Sequence, residues 1–235
     1  MAVYSPPTLL LTRPRAGSER FAASLTGFDV VIAPLMEIVG TGAAIDLTDV
    51  RGMVLTSQNA LPFLPDCTPP AYCVGPTTTA AALAHGLKAQ QVGMDADTLV
   101  AMLTQMAPET PLLHPHGVHS RGHVATRLTE AGIATWEVAI YDQRPLPPDD
   151  TFAKALGAKD LILPVFSPRS AKLLAGAIPS LPKDARVVAI SAAAAAELPP
   201  SWAEQIRIAD APNGRAMRAA LHQAARRDKI LRNSP

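Results

Sequence analysis

The chain lacks an excess of charge of either sign: 21 Lys and Arg stand against 20 Asp and Glu, leaving a formal net charge of +1. That excludes the broad basic footprint of a nucleic-acid-binding protein and argues against electrostatic adsorption to anionic membranes. Any anion site must therefore be local. No stretch approaches ~18 uninterrupted apolar residues, so a membrane span is not expected. Pro6, Pro7 and Arg13 interrupt the only hydrophobic run near the start, which has no charged segment ahead of it, so no secretory leader is read and a cytoplasmic protein is the expectation. Cysteine is scarce, and Cys67 and Cys73, with Pro69 and Pro70 between them, are read as packing residues rather than a disulfide.

Aromatics make up only 4% of residues although 48% are hydrophobic, so the core must be built from aliphatic and small side chains. Several expected signatures are also missing. There is no Gly-x-Gly-x-x-Gly after a strand and no Walker-type Gly-Lys-Ser/Thr, which removes the usual cradles for dinucleotides and nucleotides. No Gly-x-Ser-x-Gly elbow and no evident pair of catalytic carboxylates support a hydrolase. What remains favours a mechanism resting on positioning and backbone donors.

What is present is a repeated strand-turn-helix order. The first unit runs from Leu9-Leu10-Leu11 through Thr12-Arg13-Pro14 and a helix to Val30-Val31-Ile32-Ala33, ending at Pro34. Continuous apolar strands separated by a helix are the mark of a parallel sheet covered on both faces. The second unit runs from Met53-Val54-Leu55 through Thr56-Ser57-Gln58-Asn59 to Tyr72-Cys73-Val74, then Gly75-Pro76-Thr77-Thr78 and an alanine-rich helix closed by Gly86. Leu112-Leu113-His114, a helix from Ser120 to Glu130 and the strand Trp136 to Tyr141 repeat the first layout. Leu161 to Val165, Phe166-Ser167-Pro168, Val187 to Ile190 and Ser191 with its alanine run repeat the second. Either two tandem lobes or one lobe inserted into the other fits this order. The linker-like run Pro145-Leu146-Pro147-Pro148 would be an internal boundary in both. A last helix carries Arg215, Arg218, Arg226 and Arg227, read as a solvated face.

In parallel α/β sheets, ligands collect beyond the carboxyl ends of the strands, where helix N-termini offer unpaired N–H groups. Thr12, Ser57, Thr78, Ser167 and Ser191 all fall there. Each is equally suited to ordinary helix capping. The run His114 to His123 invites a metal reading, since His119 and His123 would share a helix face one turn apart, but no nearby carboxylate or cysteine completes it; a plain surface turn is the first reading, a phosphate- or carboxylate-facing turn the second, and no metal is assigned. Tyr141, at the end of an apolar strand, suits either a buried hydrogen-bonded phenol or a proton donor facing a ligand.

Thr12-Arg13-Pro14, Pro34-Leu35, Thr56-Ser57-Gln58-Asn59-Ala60, Val74-Gly75 with Thr78, Gly117 with Arg121, Ile140-Tyr141, Phe166-Ser167-Pro168 and Ile190-Ser191, in that order, resemble uroporphyrinogen-III synthase over nearly the whole chain. The resemblance implies two flavodoxin-like α/β lobes, each a parallel sheet with helices on both faces, joined by a two-strand hinge. One lobe would comprise 1–36 and 142–235, the other the inserted 37–141. It implies a monomeric lyase without a cofactor, acting on hydroxymethylbilane, a linear tetrapyrrole bearing eight carboxylates, and closing it with loss of water and inversion of the terminal pyrrole ring. It implies that Thr12, Arg13, Ser57, Gln58, Gly75, Thr78, Gly117, Ser167, Pro168 and Ser191 hold the substrate and that Tyr141 assists departure of the hydroxyl. One departure stands out: the family usually carries a threonine after Ser191, where this chain reads Ala192 to Ala196. That loss, with the missing acid-base pair, motivates a non-catalytic polycarboxylate-binding protein as the alternative. A periplasmic-type solute receptor is disfavoured by the absent leader.

Overall fold

The computed structural model describes residues 5–66 and 69–232, with side chains up to Arg226. Cys67 and the Arg227 side chain lie outside the described residues. The chain divides into two compact units, Met1–Glu37 with Pro145–Pro235, and Ile38–Arg144. It opens with β1 (Thr8–Leu11), α1 (Arg15–Ala22) and β2 (Asp29–Ile32). It continues through β3 (Met36–Gly40), β4 (Gly52–Leu55), a 3-10 helix (Gln58–Phe63), β5 (Ala71–Val74), α2 (Gly75–Ala84), β6 (Ala89–Gly93) and α3 (Ala96–Met106). Then follow β7 (Leu112–Gly117), α4 (Val124–Glu130) and β8 (Thr135–Pro145). The chain finishes with α5 (Asp150–Leu156), β9 (Ile162–Val165), α6 (Pro168–Ala177), β10 (Arg186–Ala189), α7 (Ala192–Ala195), β11 (Ile206–Ile208) and α8 (Gly214–Arg232).

The first unit holds a five-stranded sheet in the order β11-β10-β9-β1-β2, its strands paired in parallel. Side chains alternate across a strand, so both faces of this sheet must be apolar if helices cover both. They are: Leu10, Leu163 and Val187 pack with Phe152, Leu174 and Trp202 on one side. Leu9, Leu11, Ile162 and Val188 pack with Phe21, Met217 and Leu221 on the other. This is why the leucine run at β1 is unbroken. α8 buries Met217, Ala220, Leu221 and Ala224, spaced as one helical stripe, and leaves Arg215 and Arg226 exposed. Arg218 is half-buried, its guanidinium 3.5 Å from the Ser24 hydroxyl.

The second unit holds a six-stranded sheet in the order β3-β8-β7-β4-β5-β6. β4 to β8 pair in parallel wherever they are neighbours. Met53, Leu55, Cys73 and Ile140 form one core cluster, Val54, Leu99, Leu103, Leu112 and Leu128 the other. Cys73 is a free, buried thiol with a pKa pushed up to about 11 by burial.

Strand order reverses between β1 and β9 in the first unit and between β4 and β7 in the second. These are the points where an open parallel sheet leaves a crevice beyond its carboxyl ends. Two features depart from the sequence pattern. The strand β3 follows directly on Pro34-Leu35, where the pattern predicts no strand, and lies beside β8 at the sheet edge. α4 starts at Val124 rather than Ser120, because Gly122 and His123 take positive φ values of 87° and 45°. His119 and His123 therefore do not share a helix face, and the metal pair suggested there is not formed.

Candidate functional site

In the first unit, the turns after β1 and β9 flank the reversal point. Thr12 is 3% exposed, and its carbonyl accepts the Leu35 N–H at 2.9 Å. Arg13 lies with its guanidinium 4.4 Å from the centre of the Phe166 ring, which itself meets Phe21 edge-on at 4.8 Å. On another side Gly17 comes so near that an added Cβ would sit 2.9 Å from Arg13 Nε. Burial first, and repulsion from Arg20 second, lower the Arg13 pKa to about 10, so it remains a cation at neutral pH. Its buried Nε has no hydrogen-bond partner among the described residues. A desolvated cation with a spare donor is an electrostatic asset for a carboxylate.

Ser167 and Ser191 are helix caps. Ser167 Oγ accepts the Ser170 N–H at 3.1 Å while Ser170 Oγ accepts the Ser167 N–H at 2.9 Å, a reciprocal box at the start of α6 with Pro168 as its first residue. Ser191 Oγ accepts the Ala194 N–H at 3.3 Å. The Ser167 hydroxyl donates to Ser170 Oγ at 3.1 Å, whereas Ser191 accepts through its oxygen and can still donate its proton. Ser191 stands one strand removed from Ser167, since β10 neighbours β9.

In the second unit, three of the expected residues come together from three segments. Tyr141 is 5% exposed and stacks on Phe63 with centres 6.3 Å apart. It pairs in register with Gly117 on β7, where an added Cβ would lie 2.5 Å from the phenol ring. Only glycine allows that approach. Burial raises the Tyr141 pKa above its ordinary 10.0, opposed by the nearby Ser57 side chain and Gly117 backbone. Ser57 Oγ in turn accepts the Asn59 N–H at 3.2 Å.

Gln58 begins the 3-10 helix next to Ser57. Gly75 and Thr78 belong to a different strand end, after β5. Gly75 has φ +72°, a left-handed value that favours glycine, and α2 starts there without a side-chain cap. Thr78 is 7% exposed. The structure thus joins Ser57, Gly117 and Tyr141 and, separately, sets Arg13 beside the residue preceding Ser167. It does not bring Gly75, Thr78 or Ser191 into either group.

The sequence reading placed His114 in a histidine-rich run read chiefly as a surface turn, which its burial corrects. This residue is 2% exposed, with Nε2 3.1 Å from Thr56 Oγ1. Burial, then the neighbouring His116, lower its pKa to about 3, so it is neutral. His116 places Nδ1 2.8 Å from the Gly117 carbonyl and Nε2 3.6 Å from Glu137 Oε2. The available signal was alternation: His114 and His116 are two apart on a strand, so they share a face.

The family model described as Uroporphyrinogen-III synthase HemD matches residues 20–219. No curated protein sequence matches the chain. Among solved structures, a uroporphyrinogen-III synthetase from Helicobacter pylori 26695 superposes with a TM-score of 0.67 at 16% identity, over 93% of this chain and 99% of that one. A mutant uroporphyrinogen III synthase from the extremely thermophilic bacterium Thermus thermophilus gives a TM-score of 0.48 at 13% identity, over 94% and 99% of the two chains.

Proposed function

This chain belongs to the uroporphyrinogen-III synthase family, a cyclising lyase of haem biosynthesis acting on a small-molecule tetrapyrrole, and we propose that its substrate is hydroxymethylbilane and that Tyr141 is its catalytic residue. The observation that carries this reading is the buried Tyr141 phenol pressed against Gly117, beside the point where the second sheet reverses its strand order.

The first step breaks the bond between the terminal carbon and its hydroxyl. The pyrrole nitrogen supplies the electron pair that expels the oxygen, and its N–H proton completes the water that leaves, giving an azafulvene. A phenol with a raised pKa suits this step as a hydrogen-bond donor, because it polarises the departing oxygen without surrendering its own proton in the resting state. The last ring is then attacked at its substituted carbon to give a spiro intermediate, which fragments and recloses with that ring inverted. Unaided closure gives the uninverted isomer. The physical task is therefore to hold the chain so that the substituted carbon is presented.

Holding a polycarboxylate requires donors, and the turns supply them. Arg13 offers a desolvated cation, and Thr12, Gln58, Thr78, Ser167 and Ser191 offer hydroxyl, amide or backbone groups at strand ends. Ser57 and Gly117 position Tyr141, while Gly75 and Pro168 shape the turns that open α2 and α6. The same proposal has the enzyme working as a cytoplasmic monomer on this small molecule, with no cofactor, nucleic acid or membrane.

The test is product analysis. Incubation with freshly generated hydroxymethylbilane should yield isomer III, and recovery of isomer I alone from folded protein would refute the assignment. Tyr141→Phe should lower kcat by about 10²–10⁴-fold, the usual worth of a positioned acid, with a smaller change in KM. Unchanged turnover would remove Tyr141 from the chemistry while leaving the substrate assignment standing.

A further inference from the structure

We propose that His114, His116 and Glu137 form a binding site for a divalent transition metal of the zinc class, built on the adjacent strands β7 and β8. One ligand atom from each of the three lies within 4.8 Å of the other two. The arrangement follows from the sheet. His114 and His116 are two apart on β7, and Glu137 on β8 is in register with His114, so alternation puts the three on one face.

The two imidazoles are already held as metal-ligating rings are held. A ligating histidine normally uses its other ring nitrogen in a hydrogen bond that sets tautomer and orientation. His116 Nδ1 lies 2.8 Å from the Gly117 carbonyl, so it carries the proton and leaves Nε2 with a free lone pair. His114 Nε2 lies 3.1 Å from the Thr56 hydroxyl, and its Nδ1 is buried without a hydrogen-bond partner among the described residues. A buried ring nitrogen left without a hydrogen-bond partner is a costly feature in a folded protein. A metal ion would satisfy it.

One of the three ligand distances is already close to that of a zinc site, and the full set, within 4.8 Å, needs about 1 Å of closure on an ion. Zinc bonds of about 2.0–2.2 Å in a tetrahedron set ligand atoms roughly 3.3–3.5 Å apart. His116 Nε2 and Glu137 Oε2 are 3.6 Å apart. An ion pair alone would explain that contact, but not the unpartnered Nδ1 of the buried His114, a member of the same cluster. Two imidazoles with one carboxylate select zinc-like ions over magnesium or calcium, which prefer oxygen ligands, and leave a fourth position to water.

The experiment uses tag-free, chelator-treated full-length protein. Zinc titration by calorimetry should show one ion per chain, and cobalt should give the visible ligand-field bands of a four-coordinate site, displaced by zinc. His116→Ala and Glu137→Gln, which alter side chains less buried than His114, should each weaken binding by about 100-fold or more, given that losing an outer partner alone costs 10–100-fold. Thr56→Val should weaken it by about 10-fold by the same logic, and His119→Ala should leave it unchanged. Circular dichroism shows that each variant is folded. No zinc uptake by the wild-type protein, or uptake undiminished in folded His116→Ala and Glu137→Gln, would overturn the proposal.

Discussion

Replacing Gly117 by alanine tests whether the Tyr141 ring sits where the structure places it. The new methyl carbon would lie 2.5 Å from Cε2 and 2.6 Å from Cζ of that ring. Carbon atoms rest about 3.5–4.0 Å apart, so ring and strand must separate by roughly 1 Å. Tyr141 has little room to retreat, being 5% exposed and stacked on Phe63. Overpacking of this kind costs about 1–3 kcal/mol. Exchanging glycine for alanine in a strand returns about 0.5–1 kcal/mol in backbone entropy, so the net loss should be roughly 0.5–2 kcal/mol. A double-mutant cycle in urea separates the two effects. In a Tyr141→Ala background the obstacle is gone, and Gly117→Ala should be neutral or stabilising. The coupling should therefore recover the overpacking cost of about 1–3 kcal/mol. Turnover offers an independent reading, because a displacement of about 1 Å in a positioned group can cost ~10²-fold. Additivity within about 0.5 kcal/mol, together with wild-type turnover in Gly117→Ala, would refute this account of the pair.

Other outcomes follow from the same geometry. Gly17→Ala pushes the Arg13 guanidinium off the Phe166 ring. Because a side chain rather than backbone must yield, stability should change by less than about 1 kcal/mol, whereas KM should rise. An unaltered KM would separate Arg13 from substrate. Ser167→Ala removes one half of the α6 capping box and should cost about 1 kcal/mol in denaturant unfolding, and Ser167→Gly only a few tenths. Equal losses would show that the hydroxyl is not capping. Because the Tyr141 pKa is raised above 10.0, the phenol stays protonated across neutral and mildly alkaline pH. Any fall in turnover between about pH 7 and 9 should therefore persist in Tyr141→Phe. A limb near pH ~8 that disappears in that variant would contradict the raised value.

Sequence reasoning succeeded where one physical requirement acts locally. Leu9-Leu10-Leu11 could be read as a doubly buried strand because a sheet covered on both faces needs apolar residues at every position. Ser167 and Ser191 could be placed at helix starts because the side chain satisfies an amide only a few residues away. It failed where the deciding contact comes from a distant segment. The left-handed backbone at Gly122 and His123, which delays α4, is not written in residue type at His123. β3 follows a proline that reads as a stop, and it exists because β8 offers an edge to pair with. Tyr141 was recognisable as a candidate, but its partners Ser57 and Gly117 lie on other segments. For the same reason the histidine pairing was sought at His119 and His123, within one supposed helix, instead of across the register of β7 and β8.

The capping hydroxyls also change what the alanine run after Ser191 means. A threonine at that point would add a side-chain donor, and its loss would be serious if binding rested on hydroxyls. Ser191 Oγ is already accepting the Ala194 amide, so the side chain contributes one proton at most, while the first-turn N–H groups are supplied by backbone whatever residues follow. An alanine-rich first turn keeps those amides and leaves the approach to them open, with no side chain beyond a methyl to obstruct a carboxylate. Charge complementarity must then come from elsewhere in the same unit. On the proposed reading Arg13, a partly desolvated cation held between Phe166 and Gly17 whose Nε has no partner among the described residues, supplies that charge at the strand-order reversal. Backbone amides with one constrained arginine can bind a carboxylate without the missing threonine, which is why the alanine run is compatible with a working synthase.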